Sequence, residues 1–285
     1  MASRLTLLPA ALFLAALAGL YGFLHPGTWR GRWLELLALG VPMAAGLAGL
    51  LWYNKIRFDS WFEFGMRYAL TGLNFHKYYS ATFSLANFLP NFNNYLFNPF
   101  RTLPIFPYVK PDWGGRFLFF YFKSPPLYFT EQVSSLLPTL PFIFLALIAL
   151  VHIFRAGGSM LARRADEPAP IQRQADAGLK VWTFTTLAGA GLLALAPLLL
   201  FIAANMRYLA DAVPSLVLLS ILGFWQGAEF LTARPALRRL FIFLVILLVA
   251  YSAITSLLLA VTGSEARFEN LNPTLFEQLT HWFSP

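Results

Sequence analysis

The chain of 285 residues contains no cysteine. That excludes a disulfide framework, a thiolate metal site and a thiol nucleophile. Charge is scarce too. Asp, Glu, Lys and Arg together make up 12% of the residues, about half the usual share of a soluble domain. A soluble protein of this length needs a charged surface to stay dispersed, so this composition calls for lipid over much of the chain. Acidic residues are the rarer sign, 13 against 21 Lys and Arg, and the formal net charge is +8. Most of the basic residues sit between apolar runs, where the positive-inside bias accounts for them, and no nucleic-acid partner is expected. The histidines His25, His76, His152 and His281 are isolated from one another, which leaves no metal-ligand spacing. A glycine-rich phosphate loop, a nucleophile elbow and a repeat of fixed period are all missing.

What is present is apolar sequence. Hydrophobic residues make up 58% of the chain and the mean hydropathy is +0.61. The expected fold is an all-α polytopic membrane protein, a single transmembrane domain of about six helices. Apolar runs long enough to cross a bilayer predict spans at 5–24, 34–53, 136–154, 181–204, 208–230 and 240–261. The first follows Arg4 and reads as a retained helix, with a cleaved signal peptide as the alternative. Residues 155–180 are rich in charge, Gly and Pro and read as a linker. Placing Arg30/Arg32, the 155–180 linker and Arg234–Arg239 on the inside satisfies the positive-inside rule. Residues 54–135 then form a long outer loop, with the N-terminus and the polar C-terminal tail on the same side.

That loop holds about half of the chain's aromatic residues, as expected of a segment at headgroup level. Within it, Ser60 to Leu73 places Trp61, Phe64 and Tyr68 near one face at helical spacing and predicts a short interfacial helix. Pro90, Pro99, Pro104, Pro107 and Pro111 exclude a long regular helix further on. Phe117 to Phe122 is too short to span a bilayer and reads as a strand or a dipping segment.

Three groups of residues are candidates for chemistry. Arg207 and Asp211 are four apart, so they share a helix face, at or just inside the outer end of a span. They read either as a phosphate-binding pair for a lipid-linked substrate or as a local ion pair at a helix end. Asp59 and Glu63 would share a face of the interfacial helix, with Arg67 nearby. They read as paired carboxylates or as surface ion pairs. Asn91 and Asn94 belong to a cluster with Asn87, Asn93 and Asn98. These asparagines among aromatics suit sugar binding, or turns beside proline.

Two stretches carry a resemblance. YNKIRFDSWFEFGMRYALTG, followed by FSLANFLPNFNNYLFNPFRTLPIFPY, and NMRYLADAVPSLVLLSILGFW resemble segments of bacterial integral-membrane glycosyltransferases of the GT-C, mannosyltransferase-like type. The resemblance covers about Leu34 to Val261 and includes Arg207, Tyr208 and Asp211. It implies a multi-pass protein of the bacterial inner membrane that uses polyprenyl-phosphate-linked sugars in cell-envelope assembly. The acidic motif of that family's first outer loop has no match here, so the chain resembles the C-terminal half of such a protein. A missing N-terminal half or a partner subunit would then supply catalysis. No cofactor is evident, and a divalent metal would belong to the complete enzyme. Two alternatives stay open: a non-enzymatic scaffold or lipid-binding subunit, and a small transporter or flippase.

Overall fold

The computed structural model of the chain describes residues 7–24, 28–65, 68, 79–114, 125–151, 155, 171–263 and 266–284. Helices dominate it. We number the principal ones α1 (Leu8–Leu24), α2 (Trp29–Phe58), α3 (Phe88–Leu96), α4 (Pro141–Val151), α5 (Ile171–Leu200), α6 (Val213–Phe230), α7 (Pro235–Thr262) and α8 (Pro273–Phe283). Among the described residues, four helices are long and apolar enough to cross a membrane: α2, α5 over Gly178–Leu200, α6 and α7. α1 and α4 are apolar but shorter. They fall within the first and third expected spans, whose remaining residues at 5–6 and 152–154 lie outside the described residues. The third span is broken by its own prolines. Leu136–Thr139 forms one turn, Leu140 leaves helical geometry, and the chain restarts at Pro141 in a 3-10 turn.

Other boundaries also differ from expectation. α2 starts at Thr28, whose hydroxyl accepts from the Gly31 amide at 3.2 Å, and runs through Pro42 to a left-handed Asp59. At 30 residues it is ~45 Å long, more than a bilayer core needs. Residues 60–65 are a turn and irregular chain, not the start of an interfacial helix. The remainder of that expected helix, Arg67 included, lies outside the described residues, as do Phe117–Phe122 and most of the linker. The linker is shorter than expected, because α5 already begins at Ile171.

Helix packing is close where small residues allow it. A Cβ on Gly223 of α6 would lie 1.9 Å from the Leu145 carbonyl oxygen of α4, so the two backbones meet only because that position is glycine. α1 lies along α5, with the Tyr21 and Trp182 rings 5.7 Å apart.

The fourth expected span ends early, and this shapes the rest of the molecule. α5 stops at Leu200. Phe201–Asn205 continues as extended, fully buried backbone. Within it β6 (Ala203–Ala204) pairs in parallel with β4 (Phe129–Thr130). The opposite edge is held by residues 82–84: Ser84 N donates to Leu200 O at 2.9 Å and Ile202 N to Thr82 O at 2.9 Å. Two further two-stranded pairs, both antiparallel, complete the loop region. β1 (Arg101–Thr102) pairs with β2 (Val109–Lys110), and β3 (Asp112–Trp113) with β5 (Gln132–Val133). The nearly buried Asp112 carboxylate ties them together, accepting from Arg101 Nε at 2.8 Å and from the Trp113 amide.

The asparagines settle the account of the buried backbone. Asn87 Nδ2 donates to Leu200 O at 3.0 Å. Asn91 Nδ2 donates to Phe201 O at 2.5 Å and to Leu199 O at 3.2 Å. Asn98 Nδ2 donates to Val133 O at 2.8 Å. Without Asn91 the end of α5 would leave Leu199 O and Phe201 O short of a donor in an apolar setting, at about 1–3 kcal/mol each. Neither expected role for this cluster describes Asn91 and Asn94. Both sit in α3, both are almost fully buried, and their amides serve the protein's interior.

Asn91→Ala is expected to lower the unfolding free energy by about 2–4 kcal/mol, since it strips two carbonyls of their donor. Leu85→Ala, at a side chain 81% exposed, is expected to stay within about 0.5 kcal/mol. Unfolding in detergent measures both. Gly223→Ala is expected to cost more than about 2 kcal/mol through overpacking. Gly40→Ala, which meets nothing within 4 Å, is expected to be neutral or stabilising by up to about 1 kcal/mol. Equal thermal melting for the two glycine variants would contradict the close crossing of α4 and α6.

Candidate functional site

The buried strand leads directly to the residues with the best claim to chemistry. Tyr95 of α3, itself fully buried, receives the Asn205 amide at 3.2 Å and donates its hydroxyl to Ala203 O at 3.4 Å. Asn205 then caps the short helix Met206–Leu209, its side-chain oxygen accepting from the Arg207 amide at 2.8 Å. The same oxygen accepts from Arg207 Nε at 3.3 Å. The backbone of Arg207 is thus fixed by a cap, and its guanidinium is steered by the same atom.

Tyr128 completes the support. Its hydroxyl donates to Asn91 Oδ1 at 2.8 Å and accepts from Asn94 Nδ2 at 2.8 Å. Burial pushes both the Tyr95 and the Tyr128 phenols well above the ordinary tyrosine range. Both therefore remain neutral donors at any physiological pH, and neither acts as a base.

Arg207 projects from this frame into a cleft of about 590 Å³. Its walls come from three directions. Asn205, Met206 and Arg207 form one side, Glu131 and Gln132 the second, and Ser256, Leu259 and Ala260 near the end of α7 the third. Arg267 closes the rim. Arg207 is 76% exposed and its Nη2 lies 3.6 Å from Glu131 Oε1. At that distance and exposure the ion pair contributes little to stability. It can yield to a competing anion at small cost. Two guanidinium groups, one carboxylate, two amides and two hydroxyls beside an apolar helix suit a ligand with an anionic head and an apolar body.

Of the candidate residues from sequence that lie among the described residues, Arg207 alone lines this cleft. The expected 208–230 span begins instead at Val213, so Arg207 and Asp211 do not share one continuous helix. Asp211 lies in the turn beyond the short helix, and Arg207 turns toward Glu131. Tyr208 packs edge-on against Phe201 with ring centres 5.7 Å apart. Asp59 and Glu63 share no helix face either. Asp59 ends α2 in the left-handed conformation and accepts from Lys55 Nζ at 2.5 Å, while Glu63 follows the turn at Trp61–Phe62. The Lys55 hydrogen bond, with its charge, holds the Asp59 carboxyl below its ordinary value, which leaves it a weak base at neutral pH.

Glu131 and Arg267 were not found from sequence. Glu131 sits among apolar and aromatic residues with no spacing signal, and only the β4–β6 pairing carries it to Arg207: its amide donates to Ala204 O at 3.1 Å. Among the described residues, no group of three or more His, Cys, Asp or Glu is placed to hold a metal ion. Comparison with protein-family models, with curated proteins and with solved structures returned no match.

Tyr128→Phe removes both the donor to Asn91 and the acceptor for the Asn94 amide. It is expected to lower stability by about 1–3 kcal/mol. An unchanged unfolding midpoint in detergent would show that the phenol is dispensable to the frame.

Proposed function

We propose that this protein holds the phosphate of a polyprenyl-phosphate-linked sugar in the Arg207 cleft, at the surface of the bacterial inner membrane. In this reading it is related to the GT-C glycosyltransferases of cell-envelope assembly. The observation that carries the proposal is the position of Arg207. Its guanidinium is anchored at the backbone by Asn205, exposed at the tip, and set at the rim of a cleft whose far wall is the apolar, membrane-length helix α7. A phosphate would accept from Arg207 and Arg267 in place of the weak Glu131 contact, and the isoprenoid would lie along α7. Glu131 is the carboxylate that faces the bound head. Sugar transfer requires a group to take the acceptor's proton. Glu131 or an acidic residue of a partner subunit would fill that role.

The test is direct binding of a polyprenyl phosphate to the purified chain in nanodiscs, with the corresponding polyprenol as control. The phosphate is expected to bind at least tenfold more tightly than the alcohol. Arg207→Ala is expected to remove most of that preference, in line with the loss of about 1.5–3 kcal/mol for a hydrogen bond to a charged group. Arg207→Lys is expected to restore part of it, because it keeps the charge and loses the fork. Equal affinity for phosphate and alcohol in the wild-type chain would overturn the reading.

A further inference from the structure

The C-terminal tail was expected to be polar. It instead carries α8, an eleven-residue helix with sequence PTLFEQLTHWF. Positions seven apart share a helix face, so Leu275 pairs with Trp282 and Phe276 with Phe283. Glu277, Gln278 and His281 lie on the opposite side. The protein covers only part of this apolar arc. Its Phe276–Phe283 half meets Phe106, with ring centres at 6.3 and 5.4 Å. That contact is pinned by Phe106 N donating to Ser284 Oγ at 3.1 Å and by the Tyr108 hydroxyl donating to Phe283 O. The Leu275–Trp282 half is largely open: Trp282 is 70% exposed, Leu275 44%, and Leu271 just before the helix 67%, and Phe283 at the edge of the Phe106 contact is itself 56% exposed.

We propose that this second half of the arc lies in the headgroup boundary of the membrane that α7 crosses, with α8 parallel to the bilayer surface. Three observations select lipid as the occupant. The tail starts where the apolar run of α7 ends, at Thr262, and the intervening helix Arg267–Leu271 packs back against α7, which keeps α8 near that end. Eleven residues are too few to cross a bilayer but enough to lie on one. The outermost exposed side chain is a tryptophan, whose ring favours the boundary between headgroups and acyl chains. Charge narrows the lipid further. Glu269 and Glu277 give the segment no attraction to anionic headgroups, so apolar burial drives the contact and zwitterionic phospholipid suffices. The anchor also serves the cleft, since Arg267 at its rim opens the short helix that leads into α8.

The absence of cysteine makes the test clean. Single Leu275→Cys, Glu277→Cys, His281→Cys and Trp282→Cys variants of the full chain are spin-labelled in nanodiscs of zwitterionic phospholipid. Collisions with oxygen and with a water-soluble nickel chelate are then compared. Labels at 275 and 282 are expected to favour oxygen severalfold over the chelate, and labels at 277 and 281 the reverse. Chelate access at all four positions would overturn the proposal. So would exclusion of both reagents at 275 and 282, which would mean that protein, such as a second copy of the chain, covers the arc. Binding of polyprenyl phosphate plays no part in this readout, so its result stands apart from that of the cleft.

Discussion

A helix that ends inside an apolar environment leaves carbonyl groups that must find donors. That constraint governs this molecule. α5 stops at Leu200, and the chain then runs extended through five buried residues, Phe201 to Asn205. Water cannot satisfy that backbone, and an unmet polar group there costs as much as the loss of a sizeable side-chain contact. Every neighbour of the strand is arranged around this need. Residues 82–84 bond one edge and 129–131 the other, while α3 supplies Asn91 and Tyr95 from above and Asn87 just before it. The loop region is folded around the end of a helix.

The same arrangement explains why the cleft is where it is. Because β4 must pair with β6, Glu131 follows at the strand's edge; because Asn205 ends the strand, its side chain is free to cap the next turn. Arg207 and Glu131 thus meet at the margin of a structure built for another purpose. The frame is rigid and hydrogen-bonded, whereas the ion pair it presents is exposed and long. Strong support behind a weak, replaceable contact is what an anion site needs, since the side chain is positioned in advance and its partner is readily displaced.

The apolar architecture was legible in the sequence because length and hydropathy alone report it. α2, α6 and α7 fall where unbroken apolar runs predict them. The errors cluster at helix ends, where apolar composition does not change. FIAA at 201–204 is as hydrophobic as the helix before it, so the switch to strand was invisible to hydropathy. Arg207 was found because a charge beside an apolar run stands out. Asp211 was expected beside it because spacing along a helix was the only geometry available, whereas the short helix ends at Leu209 and Glu131 is the carboxylate 3.6 Å from the guanidinium. Glu131 needed a non-local pairing that no local pattern encodes. The asparagines show the same limit from the other side. A turn and a buried cap use the same residue type, and only the distant carbonyls of residues 199–201 decide between them.

The polar groups of this protein are sorted by depth, and the sorting bears on what the site can sense. Around the buried strand are neutral amides and phenols, Asn87, Asn91, Asn98, Tyr95 and Tyr128, with the two phenols pushed further from ionisation by burial, while the buried Asp112 carboxylate lies apart in β3, paired with Arg101. Arg207, Glu131 and Lys55 carry their charges at partly or largely exposed tips. A carboxylate or ammonium in place of Asn91 would pay a heavy desolvation cost beside bare carbonyls, and its bonding would change with pH. The amide offers donor and acceptor together at no charge. The amides and phenols around the strand therefore stay neutral across the physiological range, while the charges at the rim remain available to a ligand. Recognition of an anion can then depend on the exposed guanidinium without the frame that holds it responding to the same variable.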